Sequence, residues 1–159
     1  TQRREEYLLF PEEPLAIEIN AFFALEKSVI HYSGDLNDLK SHKIGAIRGY
    51  SYGHTFDDSS LGREYALNEK MLLEKIQNHR CTIGIGNIIV IEKLAQKMNI
   101  GIKILKPSVS EDPLFIAFSK VKGHQKLTQE FSKALHELRR TGKYQQILEQ
   151  YADVYISKK

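Results

Sequence analysis

The sequence has 159 residues, of which 42% are hydrophobic and 27% charged, with 10 Gly, 4 Pro and a single Cys. A soluble chain of this length buries roughly two thirds of the surface its unfolded form exposes, so it requires a core, and the composition excludes a disordered, collagenous or linker-like polymer. Twenty-three Lys and Arg against 20 Asp and Glu leave a net charge of +3, scattered over Arg3 and Arg4, residues 120–126, Arg139, Arg140 and Lys143, and Lys158 and Lys159. A nucleic-acid binder would concentrate this charge on one face and interleave aromatics, so that class is not expected. The longest apolar runs, residues 21–25 and 88–91, fall well short of the ~18 to 20 residues a membrane helix needs. The lone Cys81 excludes an internal disulfide and a cysteine-based zinc site, and it leaves the compartment open. Thr1 is not a start methionine, and the expectation is a mature form or a cut piece.

In chain order, residues 7–10 (YLLF) form a short apolar run closed by Pro11 and Pro14, which suits a strand or helix end followed by an extended connector. Residues 17–29 (IEINAFFALEKSV) mix β-branched and aromatic side chains and read as one or two strands. Ser33, Gly34 and Asp35 mark a turn before a short helical turn at 36–40, and residues 43–48 (KIGAIR) are a compact buried strand broken by Gly49. Residues 63–68 read as another strand. Asn68 then caps a helix over 69–79, whose Met71, Leu72, Lys75 and Ile76 spacing gives one apolar stripe. Residues 80–85 (RCTIGI) are strand-like, and 87–98 resume helical periodicity. Strands follow at 101–105 and 114–119, separated by a loop over 107–113. The last stretch is helical: residues 124–140 align Leu127, Phe131, Ala134, Leu135 and Leu138, Gly142 breaks the helix, and 144–155 form a second one with Ile147, Leu148 and Tyr151 on one face. Strands alternating with helices predict an α/β fold with parallel strands.

Residues 49–53 (GYSYG) match G-x-S-x-G and follow a predicted strand, as a nucleophile elbow does. Ser51 is then the candidate nucleophile of a serine hydrolase, with Asp112 or Asp153 and His124 or His136 as triad partners, although Asp153 follows both histidines. The polar residues 54–60 are a weak start for the helix an elbow needs, so a glycine-flanked turn or a ligand loop stands beside this reading. Gly84 and Gly86 lack the third glycine of a dinucleotide fingerprint, and no phosphate-cradling G-x-x-x-x-G-K-[ST] occurs. The six histidines show no metal-ligand spacing, and no metal or other cofactor is expected. The adjacent acids Glu12 and Glu13, and Asp57 and Asp58, are read as solvated loop or helix-start residues without a catalytic role.

Taken together, several segments resemble the bacterial periplasmic solute-binding proteins of extracellular family 3, the polar-amino-acid branch. Residues 1–4 (TQRR) followed by Phe10 look like the family's T-x-x-R and the segment after it. Residues 38–40 (DLK), 43–45 (KIG) and 48–53 (RGYSYG) look like its strand and G-[ST]-[ST] loop. Residues 80–87 (RCTIGIGN) stand in the place of its "R-V-D…D" strand. Residues 113–120, 131–138 and 142–151 look like its returning hinge strand and closing "G-x-Y-x-x-I-x-x-x-Y" helices. The resemblance covers nearly the whole chain, and it implies a periplasmic binding protein-like type II fold, of which this chain carries lobe 2 and the C-terminal helices that normally pack on lobe 1. The implied organisation is a remnant of lobe 1 and a first hinge strand over 1–26, the lobe 2 α/β domain over 27–112, and a second hinge strand with the C-terminal helices over 113–159.

The resemblance also implies a non-catalytic role: capture of a small polar solute, such as an amino acid or related metabolite, in the periplasm and delivery to an ABC permease in the inner membrane. A ligand-sensing domain of a signalling receptor is the alternative within the same fold. The implied ligand-binding residues are Arg4, matching an arginine that grips a ligand carboxylate, Ser51, matching a hydroxyl residue whose side chain and following backbone N–H groups bind the same carboxylate, and Tyr50 and Tyr52 as cleft walls. Thr82 stands where the family usually has an aspartate for an α-ammonium group, and Asn87, five residues on, supplies neutral hydrogen bonds. With much of lobe 1 outside the sequence, the apolar helix faces carrying Leu127, Phe131, Leu135 and Ile147 lack a partner, and self-association as a dimer is expected.

Overall fold

The computed structural model describes the backbone of residues 2–157 and the side chains of residues 4–150; the side chains of Arg3, Tyr151, Asp153, Lys158 and Lys159, named above, fall outside the described residues, as does Thr1. The chain divides into two compact units, one of Thr1–Ile17 with Asp112–Lys159 and the other of Glu18–Glu111. The chain passes between them twice, along strands that each belong partly to both. These divisions lie nine residues and one residue before the boundaries expected from the sequence.

In the first unit, a helical turn α1 (Gln2–Glu5) leads to β1 (Leu8–Leu9), and the chain crosses to the second unit along β2 (Ala16–Leu25). A 3-10 turn at Leu36–Leu39, begun by Asp35, precedes β3 (Ile44–Ile47), the single helical turn α2 (His54–Asp57) and β4 (Arg63–Ala66). Then come α3 (Glu69–Gln77), β5 (Ile83–Asn87), α4 (Ile88–Lys97) and β6 (Ile102–Ile104). The return runs along β7 (Ser110–Leu114) to β8 (Phe118–Ser119), α5 (Gln125–Arg140) and α6 (Lys143–Ser157).

The sheet of the second unit has the order β4-β3-β5-β2-β6, with β7 also pairing β2. It is mixed, not parallel as expected. The β3–β4 and β3–β5 pairs are parallel, while β2 lies antiparallel to β5 and β6. Side-chain alternation divides its core into two faces. Phe23, Ile47 and Ala66 pack against Leu72, Leu73 and Ile76 of α3 and Ile91 and Ala95 of α4; Phe22, Ile44, Ala46, Ile83 and Ile85 pack with Leu39, Tyr52 and Phe56 on the other side. The sequence IGIG in β5 follows from this. Its isoleucines fill one face, while a Cβ on Gly84 would stand 2.2 Å from the Phe23 ring and one on Gly86 2.9 Å from Ile91. Only glycine lets those side chains lie on the strand.

Asn68 caps α3 as expected, its side chain accepting from the Met71 N–H at 2.9 Å. The buried stripe of α3 is Leu72, Leu73 and Ile76, and Met71 lies outside it. The helix ends where His79 takes φ 56° and the N–H groups of Arg80 and Cys81 both donate to the Lys75 carbonyl. Those bonds hold Arg80 and Cys81 out of the ladder, Thr82 makes the turn to the Lys43 carbonyl, and β5 starts at Ile83 rather than at Arg80. Lys75 itself reaches across to β4, donating to the Glu64 carboxylate at 2.9 Å and the Tyr65 carbonyl at 2.7 Å.

The expected loop over 107–113 is in part strand β7, because Pro113 needs no N–H in a strand that pairs with β2 alone. In the first unit β1 and β8 form a two-stranded antiparallel ladder, Phe118 packs on Phe131, and Arg139 lies over the Tyr144 ring while donating to Glu13 and the Pro14 carbonyl. Of the helix faces expected to lack a partner, Leu135 is buried and Phe131 half-buried within this unit, whereas Leu127, Ile147 and Leu148 remain exposed.

Candidate ligand-binding site

Neighbouring parallel strands in an open α/β sheet end together, and ligands bind beyond those carboxyl ends. In the second unit the two strands are β3, which ends at Ile47, and β5, which ends at Asn87.

The loop after β3 carries the GYSYG segment. Gly49 and Gly53 adopt φ 82° and 94°, conformations that L side chains rarely take, and a Cβ on Gly53 would also meet Ser110 at 2.9 Å. Tyr50 is exposed and stacks on Tyr52, with ring centroids 6.3 Å apart. Tyr52 turns inward beside Phe56 and is 2% exposed. Its hydroxyl accepts the Ile47 N–H at 2.9 Å, and burial pushes its phenol up to about 12. Ser51 stays exposed, and its hydroxyl donates to Asp57 Oδ2 at 2.5 Å. The Tyr52 N–H donates to both Asp57 oxygens, at 3.1 and 3.2 Å.

Behind the loop, Arg63 lies over the Phe56 ring at 4.5 Å and donates to the carbonyls of Phe56, Asp57 and Ser59. Its Nε is buried without a hydrogen-bond partner. The guanidinium thus closes the carboxyl end of α2 and fixes the loop from below. Neither Arg63 nor Asp57 carries a role in the sequence reading.

At the end of β5, Asn87 Oδ1 caps α4, accepting from the N–H groups of Ile89 and Val90 at 3.0 and 3.2 Å. Its amide donates to Glu18 at 3.3 Å. Across the β2–β5 ladder Asn87 faces Asn20, which is 3% exposed and donates to Ser110 Oγ at 3.3 Å. Tyr50, Ser51, Tyr52 and Asn87 therefore share one end of the sheet, with Glu18, Asn20 and Ser110 between or beside them.

Thr82 lies at the other end. It precedes β5, and its hydroxyl donates to the Lys43 carbonyl at 3.3 Å and lies 3.4 Å from His42 Nδ1. Five residues of extended chain set it about 16 Å from Asn87. Arg4 is exposed in α1 of the first unit. The elbow reading finds a strand, a sharp turn and one helical turn, but the hydrogen-bond partner of Ser51 is a carboxylate and not a histidine. His136 pairs instead with Glu13 at 3.1 Å, within the first unit. Among the described residues no group of three or more His, Cys, Asp and Glu is placed to hold a metal ion.

The architecture is that of the periplasmic binding protein-like type II fold, a mixed α/β fold. Among solved structures, the chain is similar to one named as the probable amino-acid ABC transporter extracellular-binding protein ytmK from Bacillus subtilis, with TM-score 0.77, 17% identity, and coverage of 96% of this chain and 66% of that one. It is also similar to an ancestral arginine-binding protein bound to glutamine, with TM-score 0.70 and 23% identity over 95% of this chain and 66% of that one. A histidine kinase sensor domain with similarity to periplasmic binding proteins matches at TM-score 0.70 and 19% identity, over 95% of this chain and 65% of that one. The chain thus spans about two thirds of these structures. No protein-family model and no curated protein matches the sequence.

Proposed function

We propose that the chain is the larger part of an extracytoplasmic solute-binding protein, and not an enzyme, that captures a small polar solute and delivers it to an ABC permease of the inner membrane. The observation that carries this is the placing of the Ser51 loop and Asn87 beyond the carboxyl ends of two adjacent parallel strands, in a fold whose solved neighbours are named as binding proteins. On this reading residues 27–112 are lobe 2, residues 1–26 and 113–159 supply the two hinge strands and the lobe 1 elements, and the protein works in the periplasm by closing over its ligand. Tyr50, Ser51 and Asn87 contact the solute and Arg4 grips a solute carboxylate, whereas Tyr52, expected as a cleft wall, is buried and holds the loop through the Ile47 N–H. Thr82, at the far end of β5, is a control position. The sensor-domain neighbour favours a second reading, in which the same capture feeds a signalling protein; a membrane span and kinase region downstream in the gene decide for it.

The test is a thermal-shift panel of amino acids, polyamines, dicarboxylates and small peptides at about 1 mM each. A micromolar ligand stabilises by about 4 kcal/mol at that concentration. Ser51→Ala should then weaken the hit and Thr82→Ala leave it unchanged. A panel without a shift, or equal loss in both variants, refutes the reading.

A further inference from the structure

The donors of the Ser51–Tyr52 loop, the hydroxyl of an exposed Ser51 and the N–H of a buried Tyr52, already have an acceptor, and it belongs to the chain. The Ser51 hydroxyl and the Tyr52 N–H converge on the carboxylate of Asp57, through one bond of 2.5 Å and two of 3.1 and 3.2 Å. Hydrogen bonds to an ionised carboxylate are roughly twice as strong as neutral ones. Asp57 is also held independently of these bonds. Its backbone carbonyl accepts from Arg63, and its N–H donates to the Gly53 carbonyl at 2.9 Å, so the side chain starts from a fixed point over the loop. At the neighbouring strand end the pattern repeats in another form: Asn87 engages its carbonyl oxygen with α4 and turns its amide to Glu18. An anion approaching the Ser51–Tyr52 loop therefore meets a like charge at hydrogen-bond distance from the very donors it needs.

We propose that Asp57 is a specificity-determining residue that keeps anionic groups, a solute carboxylate included, off the Ser51–Tyr52 loop, so that the group a solute turns toward this loop is neutral or cationic. The inference rests on the reading that this loop faces the solute. It narrows the solute class to ligands with an uncharged polar group, an ammonium or a guanidinium at that end.

The test follows the Tyr52 amide by NMR in the 15N-labelled 159-residue chain, with sodium acetate as the probe and chloride holding the ionic strength. The native Tyr52 amide should stay in place through ~100 mM acetate, while in Asp57→Ala it should move saturably with a midpoint at least about tenfold lower. Asp57→Asn, which keeps an acceptor and removes the charge, should respond between the two and serves if the alanine variant does not fold. A native Tyr52 amide that titrates with the midpoint of the variants overturns the inference, and so do variants whose Tyr52 amide ignores acetate. The acetate titration reads the loop alone. An empty solute panel beside the expected acetate result removes the functional reading and leaves Asp57 as an anion barrier; a solute hit beside a failed acetate result removes this inference only.

Discussion

Replacing Tyr52 with Phe takes a single oxygen out of the core of the second unit. That oxygen accepts the Ile47 N–H at 2.9 Å. The pairing of β3 with β5 runs through Ile44 and Gly45 only, so at Ile47 the phenol stands in for the missing strand carbonyl. With Tyr52 2% exposed, no water replaces it, and a buried N–H left without an acceptor costs about 1 to 3 kcal/mol. The cost should depend on pH in a way that identifies its source. Burial raises the folded-state phenol from its ordinary value of 10.0 to about 12, so the stability it contributes is complete below pH 10 and is lost as the pH climbs toward 12. By pH 11 the native chain gives up about 1.4 kcal/mol through this one group. The Phe variant loses nothing at that position, and the other tyrosines cancel in the difference. Urea unfolding followed by circular dichroism at pH 8 and pH 11, extrapolated to water, should show the deficit of Tyr52→Phe shrinking by about that amount. A deficit independent of pH, or a variant as stable as the native chain at pH 8, refutes the argument.

Two further outcomes are expected. Gly84→Ala forces a methyl group to within 2.2 to 2.8 Å of three atoms of the Phe23 ring, which is fully buried; overpacking of this kind should cost about 2 to 3 kcal/mol in urea unfolding, and Phe23→Leu in the same chain should recover part of it. Self-association of the 159-residue chain through the exposed Tyr7, Leu127, Ile147 and Leu148 of the first unit should raise the mass seen by light scattering with concentration, and a monomer at high concentration excludes it.

Local chemistry made much of the second unit legible in the sequence. Asn68 before an apolar stripe predicts the start of α3 because its side chain has one obvious use there, and the turn at Ser33, Gly34 and Asp35 predicts the short helical turn after it for the same reason. Register was not legible. Whether β5 opens at Arg80 or Ile83 depends on the left-handed His79 and on two N–H groups drawn back to Lys75, and that decides whether Thr82 lies within the strand or before it. The antiparallel placing of β2 between β5 and β6 is likewise a tertiary choice, invisible to periodicity. At the candidate site the resemblance points to Ser51 and Asn87, but in the sequence Asp57 reads as half of a surface acid pair. A faint local signal existed. Its carboxylate reaches back over Gly53 much as the acid of a capping box does, from one residue further along. Arg63, twelve residues from Ser51, left no such trace, since a cation that binds carbonyls has no partner to recognise in the sequence.

The reach of Lys75 across to β4 has a consequence for the molecule's life in a crowded compartment. β4 is an outer strand of its sheet, and an outer strand offers unpaired carbonyls and N–H groups to any passing chain. Here the ammonium group occupies the Tyr65 carbonyl and is itself held by Glu64, with only a fifth of its side chain open to solvent. A foreign strand that sought to extend the sheet on this side would have to bury that charge or dislodge it from both partners. One lysine, placed by the helix that covers the core, thereby guards the rim of the sheet against aggregation.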